Sequence, residues 1–376
     1  MIKIKLRKNL LYLFVYYLSW YFRKIVDISI KIIFNSISPF IYLYLMNLGE
    51  IFGGLSIHLY LYSSRKQKKK AKYFGLKLIY NENNIIVGDG EIKKGILIFL
   101  ASFFDFMEFI IASFHVPKID PDISQTIDLR LGCITTIFSS FICIYALKIK
   151  ISKHHIVSLI IMSLFLCLSF FLEIIYKPDN INVRRFIFAR ILVCMDLMCV
   201  SMTDCTEKYL VDTNFLNPFK IIMFEGIFEF IMASILSIGK DPFKEIKQIY
   251  EENTIGKFIL LIFLLFLRLL LSAIVNTYKI YCNVIYSPMA RSLMDYFMTP
   301  FFIIFYFIRG KDFHNNYLFL FFSEIISLLI DFFSCVFNEY IILYCYGLEQ
   351  NTIDEVHKRA NDKINVPQYI LLNEIH

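Results

Sequence analysis

Residues 258–275 are the feature that most constrains the fold, because they read FILLIFLLFLRLLLSAIV, a long apolar run with one cation near its middle. A stretch of about 18 to 25 predominantly apolar residues is enough for a helix to cross a bilayer. The cation is Arg268. An arginine at the centre of a membrane costs roughly 2.5 to 3.5 kcal/mol on insertion scales. We therefore expect Arg268 to face a protein interior, beside a partner or a water-filled path.

Blocks of the same character recur along the whole chain of 376 residues, which is 57% hydrophobic. That composition, with a mean hydropathy of +0.59, excludes a soluble globular protein. The blocks predict an all-α membrane protein with ten transmembrane helices. The candidate spans cover residues 10–33, 38–62, 95–115, 127–148, 155–176, 186–207, 218–239, 257–279, 284–308 and 316–346.

Basic residues indicate the orientation of these spans. Lys3, Lys5, Arg7 and Lys8 precede the first span, and loop 63–94 holds nine Lys or Arg. Cytoplasmic segments carry such an excess, so both segments, and with ten spans also the C-terminal tail 347–376, are predicted to be cytoplasmic. The same segments explain most of the net charge of +7. The charge therefore gives no signal for nucleic acid, and the basic loop is expected to contact anionic membrane lipids.

Matching residues in the two halves indicate an internal duplication of a five-span unit. The first copy is predicted to cover residues 1–180, including the basic loop 63–94, and the second to cover residues 181–346. The matched pairs are Pro39 with Pro218 and Glu50 with Glu229, 179 residues apart, and Arg130 with Arg291 and Tyr145 with Tyr306, 161 residues apart.

An odd number of spans in each copy has a consequence for topology. The second copy enters the membrane from the opposite side, so the halves are predicted to be two inverted five-helix repeats. Such repeats pack in two similar ways around a site near the midplane, which gives alternating access. This arrangement predicts a secondary active transporter or exchanger that moves a small polar or anionic metabolite.

Several short motifs lie in the order that one transporter superfamily would require. They are Lys31 ahead of Pro39, ALKIKISKHH at residues 146–155, Glu207-Lys208-Tyr209-Leu210, Pro218-Phe219-Lys220, Phe224-Glu225-Gly226, Asn276, and Ser287-Pro288 through Arg291. With these motifs the chain resembles the drug/metabolite transporter superfamily, which includes EamA-like permeases and nucleotide-sugar transporters. The resemblance covers the chain except for loop 63–94 and the tail. It implies ten helices, transport through a central cavity by exchange or ion coupling, and an endomembrane of a eukaryotic cell.

Ionisable residues inside the spans are the candidate site residues, because their exposure to lipid is costly. Asp105 and Glu108 are three residues apart in span three, and Glu225 and Glu229 are four apart in span seven, so each pair shares a helix face. For each residue a buried structural ion pair is the alternative to a functional role. The candidates for substrate binding or coupling are Arg268, Asp105, Glu108, Glu225, Glu229 and Asn276.

Span three is the repeat partner of span eight, so Asp105 and Glu108 are expected at the depth of Arg268. One of them is expected to approach Arg268 across a central cavity in at least one conformational state. A surplus carboxylate there could take up a proton and couple transport to a proton gradient. Alternatively, Arg268 binds an anionic group of the substrate. Under either hypothesis, replacing Arg268 by Gln or Leu abolishes transport.

Two other classes of protein compete with the transporter hypothesis. A membrane enzyme would need a histidine or paired acids at a membrane surface with a phosphate-handling loop; none is evident, so neither an enzyme nor a cofactor is predicted. His154 and His155 have no acidic partner at helical metal spacing, so a structural role is favoured over a metal site. A non-transporting assembly factor or receptor is the alternative, and it predicts interior charges that all pair and leave no cavity.

Overall fold

The computed structural model describes residues 2–4, 10–34, 37–66, 94–115, 132–146, 152–175, 183–212, 216–252, 255–285, 317–352 and 355. Nearly all of these residues are helical. Five helical stretches are long and apolar enough to cross a membrane: Pro39–Ile57, Lys94–Ser113, Lys153–Leu172, Phe186–Val211 and Ile255–Asn283. The chain is therefore an all-α integral membrane protein.

Ten α-helices are defined within the described residues, together with a π-helical turn at Ile111–His115 and a 3-10 helix at Leu348–Asn351. They are α1 Leu10–Phe34, α2 Pro39–Lys66, α3 Lys94–Ile110, α4 Gly132–Ala146, α5 Lys153–Ile175, α6 Val183–Asp212, α7 Pro218–Leu236, α8 Lys244–Glu252, α9 Ile255–Ile285 and α10 Tyr317–Phe337. Spans one to seven correspond to α1 to α7, span eight to α9 and span ten to α10. Predicted span nine, most of loop 63–94 and most of the tail lie outside the described residues. The short helix α8 was not predicted.

Rows of exposed apolar side chains run along the outer faces of several helices. On α5 they recur every three or four residues, which is the spacing of one helix face. A large apolar surface of this kind needs an apolar environment, and the acyl chains of a membrane provide one. The row on α5 consists of Ile156, Ile160, Leu164, Leu168, Phe171 and Ile175.

Helices α2 and α7 pack against each other in antiparallel directions, and glycines allow their close approach. A Cβ atom built on Gly54 would lie 2.5 Å from the carbonyl oxygen of Phe219. A Cβ atom on Gly226 would lie 2.7 Å from the carbonyl oxygen of Asn47. Small residues permit such backbone contacts between membrane helices, where dispersion forces replace the hydrophobic effect.

Replacing Gly54 by alanine is expected to destabilise the protein. The added methyl group meets backbone atoms of α7, so the helices must separate, at a cost of about 1 to 3 kcal/mol. Gly256→Ala is the matched control, because a Cβ atom there meets nothing within 4 Å. Thermal unfolding of the purified protein in detergent measures both effects. A Gly54→Ala variant that melts with or above the wild type would contradict the close α2–α7 packing.

Several other helices also pack closely in pairs. Helix α3 packs on α6, and α9 packs on α1; α3 also packs on α7, and α9 packs on α2. Helices α5 and α10 pack on each other. Helix α4, which packs on α6 and contacts α5, joins this pair to the other helices.

A short sheet joins the two ends of the described chain. Strand β1, Ile2–Ile4, pairs antiparallel with β2, Ile341–Leu343, which follows α10. The ring of Tyr12 at the start of α1 also lies 5.0 Å from that of Tyr281 near the end of α9. The start of α1 and the ends of α9 and α10 therefore lie on one side of the bundle. This agrees with the predicted orientation, in which both ends of the chain are on the same side.

Candidate functional site

Arg268 on α9 is buried and bound by residues of three helices. Its Nε donates to Asp27 Oδ1 on α1 at 2.8 Å, and its Nη1 donates to Ser272 Oγ at 3.3 Å. Its guanidinium carbon lies 4.8 Å from the ring centroid of Tyr42 on α2. These contacts satisfy the charge and connect α9 to α1 and α2. In this conformation Arg268 is a helix-locking residue.

Asp105 does not meet Arg268 in this conformation, because it binds Lys279 instead. The expectation that either Asp105 or Glu108 approaches Arg268 in at least one state stays a prediction. Arg268 and Lys279 are eleven residues apart on α9, which is about 16 Å along the helix axis. The physical reason is helix length. Helix α9 has 31 residues and is about 46 Å long, so the middle of its apolar run is not the middle of a hydrocarbon layer of about 30 Å. Tyr42, which contacts Arg268, is within one turn of the start of α2.

The ion pair between Arg268 and Asp27 is expected to stabilise the bundle. Because the Asp27 side chain is 26% exposed, we expect Arg268→Leu to cost about 2 to 3 kcal/mol, below the usual 3 to 5 for breaking a fully buried pair. A double-mutant cycle with Asp27→Leu, measured by thermal unfolding, should give a coupling energy of at least about 1.5 kcal/mol. Additive effects of the two substitutions would show that the pair contributes nothing.

Three carboxyl groups from three helices meet near the middle of the candidate spans Pro39–Ile57 and Lys94–Ser113. Glu50 on α2, Asp105 on α3 and Glu229 on α7 each lie eleven residues after the first residue of their helix (39 to 50, 94 to 105 and 218 to 229). Eleven residues correspond to about 16 Å, half of a hydrocarbon layer of about 30 Å. One carboxylate oxygen from each residue lies within 4.8 Å of those of the other two. We call Glu50, Asp105 and Glu229 the carboxylate cluster.

Helix α9 supplies two partners to this cluster. Asn276 Nδ2 donates to Glu50 Oε1 at 2.8 Å. Lys279 Nζ donates to Asp105 Oδ1 at 2.6 Å, and it lies 3.9 Å from Glu207 Oε1 on α6. Lys279 therefore stands between a member of the carboxylate cluster and a neighbouring acid.

Other atoms of the centre have no hydrogen-bond partner. Both oxygens of Glu229, which is 0% exposed, are unpaired, and so are Glu50 Oε2 and Glu225 Oε1. The side-chain amide of Asn47, also 0% exposed, has neither its oxygen nor its nitrogen paired. Buried polar atoms are usually hydrogen-bonded, so an unpaired carboxylate in a membrane interior requires an explanation. The centre is also closed to solvent in this conformation.

Two further acids extend the polar centre along α6. Asn283 Nδ2 on α9 donates to Asp204 Oδ1 at 2.9 Å and to Glu207 Oε2 at 2.7 Å. Glu225 lies one helical turn before Glu229 on α7 and is buried as well. The centre is therefore strongly acidic. Six buried carboxyl groups line it: Glu50, Asp105, Asp204, Glu207, Glu225 and Glu229.

The structure brings together most of the candidates that the sequence indicated. Asp105, Glu229 and Asn276 lie in or beside the carboxylate cluster, Glu225 lies one turn from it, and Glu108 is half-buried one turn beyond Asp105. Arg268 is separate from this group.

Sequence reasoning missed Glu50 and Lys279 as site residues, and Asp27 as the partner of Arg268. A signal for Lys279 was present, because polar residues recur on α9 every three or four positions and so share one face. This stripe consists of Arg268, Ser272, Asn276, Lys279 and Asn283.

The histidine pair at the start of α5 has an acidic neighbour from another part of the chain. His154 Nε2 lies 3.3 Å from Glu339 Oε1, just after α10. No sequence spacing could indicate this contact, because the two residues are far apart in the chain. His155 Nδ1 accepts a hydrogen bond from the backbone N–H of Ser152 at 3.2 Å. These contacts connect the start of α5 to the segment just after α10.

Comparison with known proteins found no matching family model and no matching curated protein.

Proposed function

We propose that the chain is a secondary transporter that moves a small polar substrate across a membrane by alternating access. The observation that carries the proposal is the carboxylate cluster. Glu229 and Glu50 hold unpaired oxygens near the membrane midplane, where unneutralised charge is costly. A transporter explains this cost, because its central site has to exchange ligands or protons with each side in turn.

The charge of the centre refines the kind of substrate. Six carboxyl groups surround the site, and Lys279 is the lysine that contacts two of them. An anionic substrate would be repelled at this position unless most of these groups were protonated. The proposed substrate or coupled ion at the cluster is therefore cationic, and the earlier expectation of an anionic metabolite applies less well there. Uptake of protons by unpaired carboxylates is a second means of coupling.

The helix contacts support an inverted repeat. Under the offset of 179 residues, Asn47 is the equivalent of Gly226, and these two residues contact each other. A two-fold axis between α2 and α7 requires such a contact between equivalent positions. The same axis would exchange α3 with α9 and α7 with α2. It would therefore convert the contact of α3 with α7 into the contact of α9 with α2, and both contacts are present. They favour the ten-helix arrangement proposed from the resemblance to drug/metabolite transporters.

The closed centre agrees with the alternative function, which predicts no cavity, but the unpaired oxygens weigh against it. A structural assembly factor or receptor should hold its interior charges in complete pairs. Arg268 and Asp27 fit that description, but Glu229 does not, because neither of its oxygens has a partner. The transporter proposal explains both groups, since a moving bundle needs fixed helix pairs as well as an exchangeable centre.

Reconstitution into liposomes tests the proposed function. Wild-type protein should accumulate at least one class from a panel of amino acids, amines, nucleotide sugars, phosphorylated metabolites and divalent cations. Asp105→Asn, which keeps the size of the side chain, should reduce that uptake at least tenfold. Asp241→Asn is the matched control, because Asp241 is exposed on the loop after α7 and should leave uptake unchanged. Equal loss in both variants, or uptake independent of Asp105, would contradict a role for the centre.

A further inference from the structure

The carboxylate cluster has the composition of a site for a hard metal ion. Its three residues offer carboxylate oxygens from three different helices, all within 4.8 Å of one another. Two oxygens on opposite sides of a bound Ca²⁺ ion, each about 2.4 Å from it, are separated by about the same distance. Oxygen-only ligand sets favour Mg²⁺, Ca²⁺ and Mn²⁺ over metals that prefer nitrogen or sulfur.

The surrounding protein leaves this cluster short of positive charge. With all three carboxyl groups ionised, the cluster carries three negative charges, and the ammonium of Lys279 at Asp105 offsets one. Within the part of the chain that the structure describes, no cation contacts Glu50 or Glu229. Two negative charges are then unbalanced, and one divalent cation would balance them.

Unpaired buried groups around the cluster give a second and independent indication of a ligand. Glu229 is fully buried with both oxygens unpaired, and Glu50 Oε2 is unpaired as well. Asn47, three residues before Glu50 and so on the same face of α2, supplies another buried and unpaired amide oxygen. A carboxylate whose oxygens are both paired within the protein has no oxygen to offer an ion. Glu50 and Glu229 each have at least one unpaired oxygen.

We propose that Glu50, Asp105 and Glu229 bind one hard divalent cation near the membrane midplane. The ion is either the substrate or the coupled ion of transport, and only this assignment of a role rests on the proposed function. Lys279 contacts Asp105 and lies 3.9 Å from Glu207, so it has an alternative acid to pair with when an ion takes Asp105. The binding itself requires no transport.

Equilibrium binding of Mn²⁺ tests the proposal. The full chain is purified in detergent micelles, and the concentration of free Mn²⁺ is followed by electron paramagnetic resonance during titration. We expect saturable binding of one Mn²⁺ per chain, with competition by Mg²⁺ or Ca²⁺. Glu229→Gln and Asp105→Asn should each weaken the affinity at least tenfold. Asp241→Asn, which removes an exposed carboxyl group on the loop after α7, should change it less than threefold.

Several results would overturn the site. They are an absence of saturable binding by the wild type, or equal affinities for wild type and Glu229→Gln when both elute as monodisperse protein. Absent binding together with an infrared band of a protonated carboxyl group that disappears in Glu229→Gln would assign the cluster to protons instead. If Mn²⁺ binds as expected but liposomes transport nothing, the site stands and the transporter proposal fails. If liposomes transport a substrate but the protein binds no Mn²⁺, the transporter proposal stands and the metal site fails.

Discussion

Replacing Lys279 by glutamine is expected to lower the free energy of unfolding by about 3 to 5 kcal/mol, the usual cost of removing one partner of a buried ion pair. The ammonium is 2.6 Å from Asp105 and 3.9 Å from Glu207. Without it, both acids lose their cation in a medium that cannot solvate them. Thermal unfolding in detergent, at fixed pH and without divalent ions, measures the loss.

The double variant Asp105→Asn with Lys279→Gln separates the ion pair from the shape of the site. It removes both charges and keeps the sizes of the side chains. We expect it to recover at least half of the stability lost in Lys279→Gln, because a neutral pair needs no cation. Transport should stay at background, because the cluster has lost a carboxylate. A double variant as unstable as Lys279→Gln alone would show that the pair does not account for the loss.

Replacing Asn283 by leucine is expected to cost about 3 kcal/mol or more, because a hydrogen bond to a charged group contributes about 1.5 to 3 kcal/mol. The amide nitrogen of Asn283 donates to both Asp204 and Glu207. Leucine has the same branched arrangement of side-chain heavy atoms but no donor, so both carboxylates lose a partner inside the protein. The measurement is the unfolding temperature of the purified variant.

Asn338→Leu provides the comparison for Asn283→Leu. Asn338, just after α10, donates at 3.0 Å to the carbonyl oxygen of Ser334, which is a neutral acceptor. Neutral hydrogen bonds contribute about 0.5 to 1.5 kcal/mol, so this variant should lose much less stability. Equal destabilisation of the two variants would mean that the acids on α6 do not depend on Asn283.

The sequence was a good guide to the helices and to the kind of centre they enclose. Apolar length predicted nine spans that match described helices, and intramembrane charge identified Asp105 and Glu229. Periodicity states which face a residue occupies, but it does not state the depth of that residue in the membrane. Arg268 was placed at the midplane for this reason, although the length of α9 puts its guanidinium beside Tyr42, near one end of α2.

The partners of the charged residues were harder to predict. Asp27 and Arg268 are 241 residues apart in the chain, and Lys279 and Asp105 are 174 apart. Local spacing carries no information about such pairs, which depend on how helices pack. Glu50 shows how little local spacing says about partners that are distant in the chain. It was used to align the repeats with Glu229, yet only the packing of α2 on α7 reveals that these equivalent residues share one cluster.

Alternating access requires that the carboxylate cluster be reached from each side of the membrane in turn, and labelling of single cysteines measures that access. In a background without other reactive cysteines, Ser102→Cys and Phe109→Cys place thiols about one turn before and after Asp105 on α3. Membrane-impermeant reagents are applied to each side of sealed liposomes, with and without Mn²⁺. We expect each position to be labelled from its own side, and conditions that raise one labelling rate to lower the other. Two positions that resist labelling from both sides under every condition would contradict alternating access and indicate a sealed structural network.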